Sequence, residues 1–360
     1  MRISIFYFVF FLSIFASCAS DSDEEIEPEV NDITPSNLVI DVVITGLNSN
    51  NPFGDGSGVV NFSAQATNAS SYGFIVNSGS EVQSIDGVYQ YTFNSVEGIE
   101  NHDIKVIAYS STNNSINTSK IFAVSYYQGT APVWADEFFQ NGTPNNENWT
   151  YDLGAGGWGN NELQTYTNTS SNVKVEDGLL KIIAKANGSG YTSSRLKSQG
   201  LFQFTYGRVD VRAKLPASAG TWPAIWMLGA NFTSVGWPRC GEIDIMEQKG
   251  WDKNNVLGTC HWYNTSTSGY AGYGLETDVS NASSEFHVYS VVWDANSIRI
   301  LQDNVQYFVM SSSNSSIANS PFQNDFFLIL NVAMGGNLGG TIASNFTEDS
   351  MEIDYVRVYQ

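Results

Sequence analysis

The stretch FFLILNVAM, residues 326–334, is apolar at every position except Asn331. Side chains of a strand point alternately to the two faces of a sheet, so such a run indicates a strand that is covered on both faces. The stretches FHVYSVVW (286–293) and YVRVY (355–359) alternate apolar and polar residues instead, as half-buried strands do. Together these segments predict β-sheets that pack against each other, with residues 326–334 as a strand that is buried on both of its faces.

Strand-like segments continue at even spacing through most of the chain. Residues 129–360 carry many of them and no long amphipathic helical pattern, which predicts a two-sheet β-sandwich of the jelly-roll type with a sizeable core. Residues 38–128 hold five shorter β-branched or aromatic runs between Gly, Asn and Ser turns. They predict a small sandwich that resembles the immunoglobulin-like PKD modules. The expected fold class is therefore all-β, in two domains.

The composition points to an acidic extracellular protein. The 360 residues include 36 acidic and 16 basic side chains, with a formal net charge of −20. A nucleic-acid partner is excluded, because a phosphate backbone is bound through many Lys and Arg side chains. The abundance of aromatic residues, Gly, Ser, Thr and Asn favours a β-rich and loop-rich protein over a helical cytosolic one.

The N-terminus has the composition of an export signal. A basic Arg2 precedes an apolar segment that is short for a membrane span, and small residues then lead to Cys18. Residues 1–17 resemble a bacterial lipoprotein signal in which Cys18 is lipidated, and an ordinary secretory signal cleaved near Ala19 is the alternative. Residues 18–37 are acidic and predict a solvated tether. Their resemblance to acidic surface-export signals of the Bacteroidetes phylum implies an outer-membrane surface protein attached only by lipid.

Two further cysteines, Cys240 and Cys260, do not amount to a disulfide framework. We expect two unpaired thiols in core positions, although a bridge between them stays open. If the strand around Cys260 is regular, its neighbour His261 faces the opposite side.

The segment GEIDIMEQKG, residues 241–250, places three carboxylates within six positions: Glu242, Asp244 and Glu247. In a regular strand the first two share a face, and the third falls on the opposite face. The same pattern is found on exposed acidic strands, and the segment MEIDYVRVYQ repeats E-I-D at Glu352 and Asp354 without a third carboxylate. Spacing alone therefore leaves open both a catalytic row and a solvated strand.

One inserted residue would bring all three carboxylates onto one face. We predict a β-bulge between Asp244 and Glu247, with Ile245 and Met246 at the irregular step. Glu242 and Glu247 would then lie roughly 13 Å apart between Cα atoms. Side chains that lean together could reach the ~5–5.5 Å carboxyl separation of a retaining glycosidase. Crowding of like charges raises at least one carboxyl pKa, as a general acid requires.

Aromatic residues surround this row in the sequence. Large amphipathic rings beside carboxylates suit stacking on sugar rings, although we expect about half of the tryptophans to be core residues. The candidates are Trp158, Trp222, Trp226, Trp237, His261 and Trp262.

Several motifs in this half of the chain resemble the family-16 glycoside hydrolases of the laminarinase kind. They include GWGNNELQTYT (157–167), GTWPAIWMLG (220–229), WPRCGEIDIMEQKG (237–250) and GGNLGG (335–340), in family order within residues 131–360. The resemblance implies a curved β-jelly-roll with a cleft across its concave sheet. It also implies hydrolysis of β-glycosidic bonds with retention of configuration. The E-x-D-x-x-E spacing matches the laminarinases, whereas lichenases lack the extra residue.

The resemblance also implies roles for individual residues. Glu242 matches the nucleophile, Glu247 the acid/base and Asp244 the assisting carboxylate. The matches to substrate-binding positions are Asn160, Arg195, Trp222, Trp226, Trp237, His261 and Trp262. Many family members bind calcium away from the cleft, and the matching ligands here are Glu137, Gly178 and Asp354. Carboxylate and backbone oxygens suit that ion, which would stabilise the fold.

The expected function is hydrolysis of laminarin-like glucans by an endo-β-1,3-glucanase that works as a monomer and needs no catalytic cofactor. Two alternatives stay open. One is a family-16 hydrolase for mixed-linkage β-glucan or for a marine galactan such as agar or carrageenan. The other is a surface glycan-binding protein without turnover, which predicts a broken carboxylate row.

Overall fold

The structure, a computed structural model, describes residues 33–48, 52–96, 98–127, 129–311 and 321–360. The predicted signal segment, Cys18 and most of the predicted tether lie outside these residues. Within the described ranges, no helix combines the length and the apolar character needed to cross a membrane.

Strands make up nearly all of the regular structure in the described residues, which confirms the all-β fold class. Those of the N-terminal third are β1 (Ser36–Ile44), β2 (Val59–Thr67), β3 (Ser71–Val76), β4 (Val82–Ser84), β5 (Val88–Thr92), β6 (Gly98–Tyr109) and β7 (Ser115–Tyr126). Those that follow, up to the carboxylate row, are β8 (Trp134–Asp136), β9 (Thr150–Tyr151), β10 (Gln164–Tyr166), β11 (Val173–Glu176), β12 (Leu179–Asn187), β13 (Gly190–Ser193), β14 (Arg195–Lys197), β15 (Gly207–Lys214) and β16 (Thr221–Gly229). The remaining strands are β17 (Glu242–Glu247), β18 (Asn255–Asn264), β19 (Gly269–Asp278), β20 (His287–Trp293), β21 (Ser297–Gln302), β22 (Val305–Ser311), β23 (Phe326–Met334) and β24 (Glu348–Tyr359).

The helical segments of the described chain are single turns. They are α1 (Phe232–Val235), α2 (Gly336–Gly339) and the 3₁₀ turns Gly157–Gly159 and Pro321–Gln323. This agrees with the sequence, which shows no long amphipathic helical pattern.

The strands form four sheets, two small and two large. The small sheets have the orders β1-β2-β5 and β4-β3-β6-β7. The seven-stranded sheet has the order β19-β18-β17-β16-β23-β14-β9. The ten-stranded sheet has the order β10-β13-β12-β24-β15-β20-β21-β22, with β11 and β8 paired to β12 and β24. The strand β17 therefore lies inside a large sheet and is hydrogen-bonded on both sides.

The described chain divides into two compact units. One holds the described residues up to Asp41 together with Ser63–Val88 and Ile104–Lys120. The other holds Val42–Phe62, Tyr89–Asp103 and Ile121–Gln360, and so contains both large sheets. The domain boundaries expected from the sequence, at 37/38 and 128/129, stay a prediction.

The core of the larger unit is shared by its two large sheets. Ile243 of β17 and Leu328 of β23 join Val211 of β15 and Val356 of β24 in one buried cluster, and all four are fully buried. This is the jelly-roll sandwich expected from the sequence. Every residue of β23 is buried, as its continuous apolar run predicts.

The two cysteines are unpaired and buried, as predicted. Cys260 belongs to the main core, and Cys240 packs with Leu228, Phe327 and Ile329 in a smaller cluster. Burial raises the pKa of Cys240 to about 11, so this thiol stays protonated and inert at neutral pH.

Candidate active site

The carboxylate row lies on β17 and contains the predicted bulge. On the β16 side, Met246 and Asp244 pair with adjacent residues, so Ile245 has no partner there. On the β18 side, the register also shifts between Asp244 and Glu247. Both Ile245 and Met246 are fully buried in the core, so the bulge leaves the carboxylates free to share the opposite face. The irregular step predicted from parity is confirmed.

The first two carboxylates meet the imidazole of His261, which lies opposite Glu242 on β18. Its Nε2 is 3.1 Å from Oδ2 of Asp244 and 3.8 Å from Oε1 of Glu242. Its Nδ1 is hydrogen-bonded to the hydroxyl of Tyr270, at 2.8 Å. When the Tyr270 hydroxyl donates to Nδ1, the imidazole proton lies on Nε2 and faces the carboxylates.

The third carboxylate is held by a neighbouring tryptophan. Trp222 of β16 donates its indole N–H to Oε1 of Glu247, at 2.9 Å. Glu247 is only 8 % exposed and Trp222 only 7 %. The indole therefore fixes one carboxyl oxygen of Glu247.

Burial dominates the electrostatics of the row. It raises the pKa of Glu242, Asp244 and Glu247, because the surrounding protein replaces water that would solvate the charges. The charge of Asp244 also raises the pKa of its two neighbours. Burial brings the pKa of Glu247 to about 8. No lysine or arginine of the described residues forms an ion pair with the row, so the three groups share protons instead of all being ionised.

A stacked group adjoins the row on the open face of the seven-stranded sheet, the face that carries the carboxylates. The guanidinium of Arg195 lies 4.7 Å from the ring centroid of Trp226 and 5.0 Å from that of Trp158. It also pairs with Asp152 at 3.0 Å. The Trp226 indole donates to Oδ1 of Asn331 at 2.7 Å. This arrangement holds a cation and two aromatic planes in fixed orientation.

A second aromatic group extends the open face beyond His261. The rings of Trp237 and Tyr270 lie 5.4 Å apart, and the two side chains are 49 % and 56 % exposed. Exposed rings of this kind offer apolar faces for sugar rings. The structure thus brings Trp222, Trp226, Trp237, His261 and Arg195 around the row.

The comparisons with known proteins place these features in one family. The family model "Glycosyl hydrolases family 16" matches residues 160–357. The chain belongs to glycoside hydrolase family 16. It is 40 % identical to a β-glucanase of Rhodothermus marinus, over 63 % of this chain and 84 % of that protein. It is 37 % identical to glucan endo-1,3-β-glucosidase A1 of Niallia circulans, over 63 % of this chain and 37 % of that protein.

Solved structures give the same result for this family-16 hydrolase. The structure LamAcat from Zobellia galactanivorans is 47 % identical, with a TM-score of 0.59 over 64 % of this chain and 98 % of that one. The laminarinase from Rhodothermus marinus is 39 % identical, with a TM-score of 0.58 over 64 % of this chain and 97 % of that one. The chain is thus a glycoside hydrolase.

One predicted substrate-binding residue of the hydrolase does not reach the open face. Trp262 is 9 % exposed and belongs to the hydrophobic core, where its ring lies 6.2 Å from that of Phe322. It follows His261 on β18, so its side chain points to the opposite side of the strand. The assignment of Trp262 to sugar binding was therefore wrong, and the parity of the strand explains why.

The residues expected to bind calcium line one cavity, about 390 Å³ in volume. Both carboxyl oxygens of Glu137 are bound by Arg357, at 2.8 and 3.1 Å. Asp354 is paired with Arg212 through Oδ2 at 2.5 Å, which leaves its other oxygen. The Glu137 side chain therefore does not fit as a ligand, because its charge is already neutralised. Asp354 and main-chain carbonyls, including that of Gly178, suit a calcium ion.

Sequence reasoning missed a partly buried polar network beside the row. Asn160 donates to Oε1 of Glu162 at 3.3 Å, and Tyr166 donates to its Oε2 at 3.2 Å. The amide of Asn331 then donates to the Tyr166 hydroxyl at 3.1 Å. The charge of Glu162 also contributes to the raised pKa of Glu247. The signal available in the sequence was the polar Asn331 inside an otherwise apolar strand.

Proposed function

We propose that this protein is a retaining endo-β-1,3-glucanase that acts on laminarin-like glucans. The observation that carries the proposal is the intact E-x-D-x-x-E row, bulged and buried without a cationic partner. The similarity to proteins named as glucan endo-1,3-β-glucosidases and laminarinases supports the linkage.

In the first step, Glu247 acts as the general acid. Its pKa of about 8 keeps it protonated at neutral pH, so it donates this proton to the glycosidic oxygen as the C–O bond breaks. Glu242 attacks the anomeric carbon and forms the glycosyl-enzyme ester. In the second step, the Glu247 carboxylate takes a proton from water, and the resulting oxygen nucleophile displaces Glu242. The anomeric configuration is retained after two inversions.

Asp244 and His261 govern which carboxyl holds a proton. Burial raises the pKa of Asp244, so this residue can hold a proton of the row, while the fields of His261 and Arg195 lower the pKa of Glu242 and favour its ionised form. The Nε2 atom of His261 lies near both carboxyls and stabilises the negative charge that Glu242 carries before attack. These roles need no metal ion.

A polysaccharide panel tests the proposed substrate. Purified protein would be incubated with laminarin, mixed-linkage β-glucan, agarose and κ-carrageenan, and reducing ends would be measured. The proposal predicts the highest kcat/KM on laminarin, with early release of oligosaccharides. Preference for mixed-linkage glucan or a galactan would overturn the linkage, and binding without release of reducing ends would overturn the enzyme.

We also propose that one chain suffices for activity. Every residue of the row and of the surrounding open face belongs to the same chain, and none requires a second copy. Light scattering during turnover at dilute concentration should show a monomer. A dimer that loses activity on dissociation would contradict this.

We propose lipid attachment at Cys18 on the cell surface. The support is the small-residue approach to Cys18 and the acidic segment behind it in the sequence. Metabolic labelling with palmitate should mark the full chain and not a Cys18→Ser variant. Surface proteolysis of intact cells should release the enzyme. Equal labelling of both forms would contradict the anchor.

We propose a structural calcium ion bound by Asp354 and by the main-chain carbonyls of Glu137 and Gly178. Its support is the cavity lined by these residues and the oxygen that Asp354 keeps free of Arg212. Calcium should raise the melting temperature of the chelator-treated protein and leave the melting temperature of Asp354→Asn unchanged. The same shift in both proteins would contradict this site.

A further inference from the structure

The loop between β17 and β18 carries a lysine whose ammonium points inward. Nζ of Lys253 donates to the main-chain oxygen of Thr221 at 2.8 Å and to its Oγ1 at 2.8 Å. It also donates to Oε1 of Gln248 at 3.1 Å. Gln248 in turn donates through Nε2 to the main-chain oxygen of Lys253, at 3.0 Å. The Lys253 ammonium thus links Thr221 on β16 with Gln248, the first residue of the loop after β17.

The two residues that Lys253 binds flank the proton-donor pair. Thr221 immediately precedes Trp222 on β16, and Gln248 immediately follows Glu247 on β17. The Trp222 indole and the Glu247 carboxyl are themselves joined at 2.9 Å. The ammonium therefore holds the main chain of Thr221 on β16 and the side chain of Gln248 just after β17, each one residue away from a partner of the hydrogen bond that orients the acid.

The chemistry of Lys253 matches this arrangement. A protonated ammonium has three N–H donors, and three oxygens accept them here. No carboxylate of the described residues lies within ion-pair distance of Nζ, and Asp349 acts on it only through its field. Burial lowers the pKa of Lys253 to about 7, because the field of Asp349 offsets only part of the lost hydration. A surface lysine would need none of these contacts.

We propose that Lys253 is a positioning residue for the proton donor, which holds Trp222 and Glu247 at hydrogen-bonding distance by gripping Thr221 and Gln248. This inference rests on the proposed role of Glu247 as acid/base. It concerns only the orientation and protonation of that carboxyl.

We call the Lys253 ammonium and its partners Thr221 and Gln248 the clamp, and its loss should change the pKa of Glu247 in one direction. The Trp222 hydrogen bond lowers its pKa, as does the field of His261, whereas burial and the charges of Asp244 and Glu162 raise it. The charge of Glu247 in turn raises the pKa of the Tyr307 phenol, after burial, which has the larger effect. Weakening the Trp222 bond removes one lowering contribution, so the pKa of Glu247 rises. The alkaline limb of the pH–rate profile should then move to higher pH, while kcat falls because the acid is misaligned.

The test compares Lys253→Met with Lys249→Met. Lys249 lies earlier in the same loop and pairs with Glu276, so its replacement removes a lysine of this loop without touching Thr221 or Gln248. With laminarin, Lys253→Met should lower kcat about tenfold to a hundredfold, leave KM little changed, and shift the alkaline limb upward. Lys249→Met should keep the parental kcat and profile. A Lys253→Met enzyme with parental kcat and alkaline limb would overturn the proposal.

A milder variant separates positioning from folding. Thr221→Val removes one acceptor of the clamp with little change of shape, and it should reproduce the shift of the limb with a smaller loss of kcat. This variant decides the matter if Lys253→Met does not fold, as judged by circular dichroism. Thr221→Val with the parental limb would then overturn the proposal.

A double-mutant cycle tests the path of the effect. If Lys253 acts through the indole, Lys253→Met should cost little further kcat in a Trp222→Phe background, whereas independent effects would multiply. Multiplicative losses would overturn the inference. A parental enzyme without activity on any β-glucan would instead refute the proposed function, so the two failures are distinguishable.

Discussion

The chain contains the tripeptide E-I-D in two large-sheet strands, and their surroundings differ. In β17, Glu242 and Asp244 flank a buried isoleucine, and their ion-pair partner among the described residues is the imidazole of His261. In β24, Glu352 and Asp354 also flank a buried isoleucine, but Lys214 and Arg212 neutralise them at 2.8 and 2.5 Å. Equal sequence patterns thus give a site of raised pKa in one sheet and two ordinary ion pairs in the other.

The difference teaches where chemistry resides in this fold. A carboxylate paired with Lys or Arg at a partly exposed position stays ionised and contributes at most about 1 kcal/mol of stability. A buried carboxylate without such a partner is driven toward protonation, which makes it useful as an acid. We therefore read the β17 row as catalytic and the β24 pair as structural.

The largest expected effect is a loss of kcat on replacing a glutamate of β17, which replacement of a glutamate of β24 should not cause. Glu242→Gln and Glu247→Gln should each lower kcat on laminarin by about 100- to 10,000-fold, because the nucleophile or the acid is lost. Glu352→Gln is the matched control and should retain the parental kcat. Comparable losses in all three variants would remove the distinction between the strands.

A smaller loss is expected at the middle carboxylate. Asp244→Asn should lower kcat about 100-fold, since the neighbouring groups lose a proton store and a fixed contact. The charge of Asp244 raises the pKa of Glu247, so the variant should also move the alkaline limb to lower pH. Stopped assays between pH 5 and about 10 would measure this. A limb that moves upward or stays in place would contradict the electrostatic account.

Glu247→Gln should lower activity, but it should raise stability relative to the parent as pH increases. Its pKa rises from an ordinary 4.5 to about 8 on folding, so the folded state binds more protons than the unfolded state between these values. The contribution to stability is full below pH 4.5 and is lost as pH rises toward 8. Glu247→Gln, which cannot ionise, should therefore gain in melting temperature relative to the parent as pH rises through this window. An unchanged difference between pH 4 and about 9 would contradict the raised pKa.

The smallest effect is expected at Tyr270, which binds His261. The imidazole of His261 is the partner of the β17 carboxylates, where the β24 carboxylates have Lys and Arg side chains. Tyr270→Phe keeps the ring beside Trp237 and removes only the hydroxyl that binds Nδ1 of His261. We expect kcat to fall about fivefold and KM to change little, because one net hydrogen bond of about 1 kcal/mol is lost. The control is Tyr273→Phe on the same strand, which should behave as the parent. Equal kinetics of the two variants would show that the hydroxyl does not orient His261.

The sequence predicted the row and its bulge because parity is a local property. The wrong parity of Glu247 required one extra residue, and Ile245 supplies it. Parity also identifies Trp262 as a core residue, since it follows His261 directly. Local patterns could not predict the partners of the row, because Tyr270, Glu162 and Asn331 come from strands and loops far apart in the chain.

The same limit explains the surroundings of the β24 pair. Arg212 and Lys214 approach Asp354 and Glu352 because β15 pairs with β24 in a specific register, with a shift between Arg212 and Ala213. No sequence period encodes that pairing. The neutralisation of these carboxylates therefore became visible only in the folded structure.

Covalent trapping of the nucleophile tests the central claim most directly. A 2-deoxy-2-fluoro laminaribioside with an activated leaving group should form a stable glycosyl-enzyme, because the fluorine slows both steps and the activated leaving group restores the rate of attack but not that of hydrolysis. Proteolysis and mass spectrometry should then place one label on Glu242. A label on another residue, including Glu352, or turnover of laminarin without any trapped ester would contradict the account.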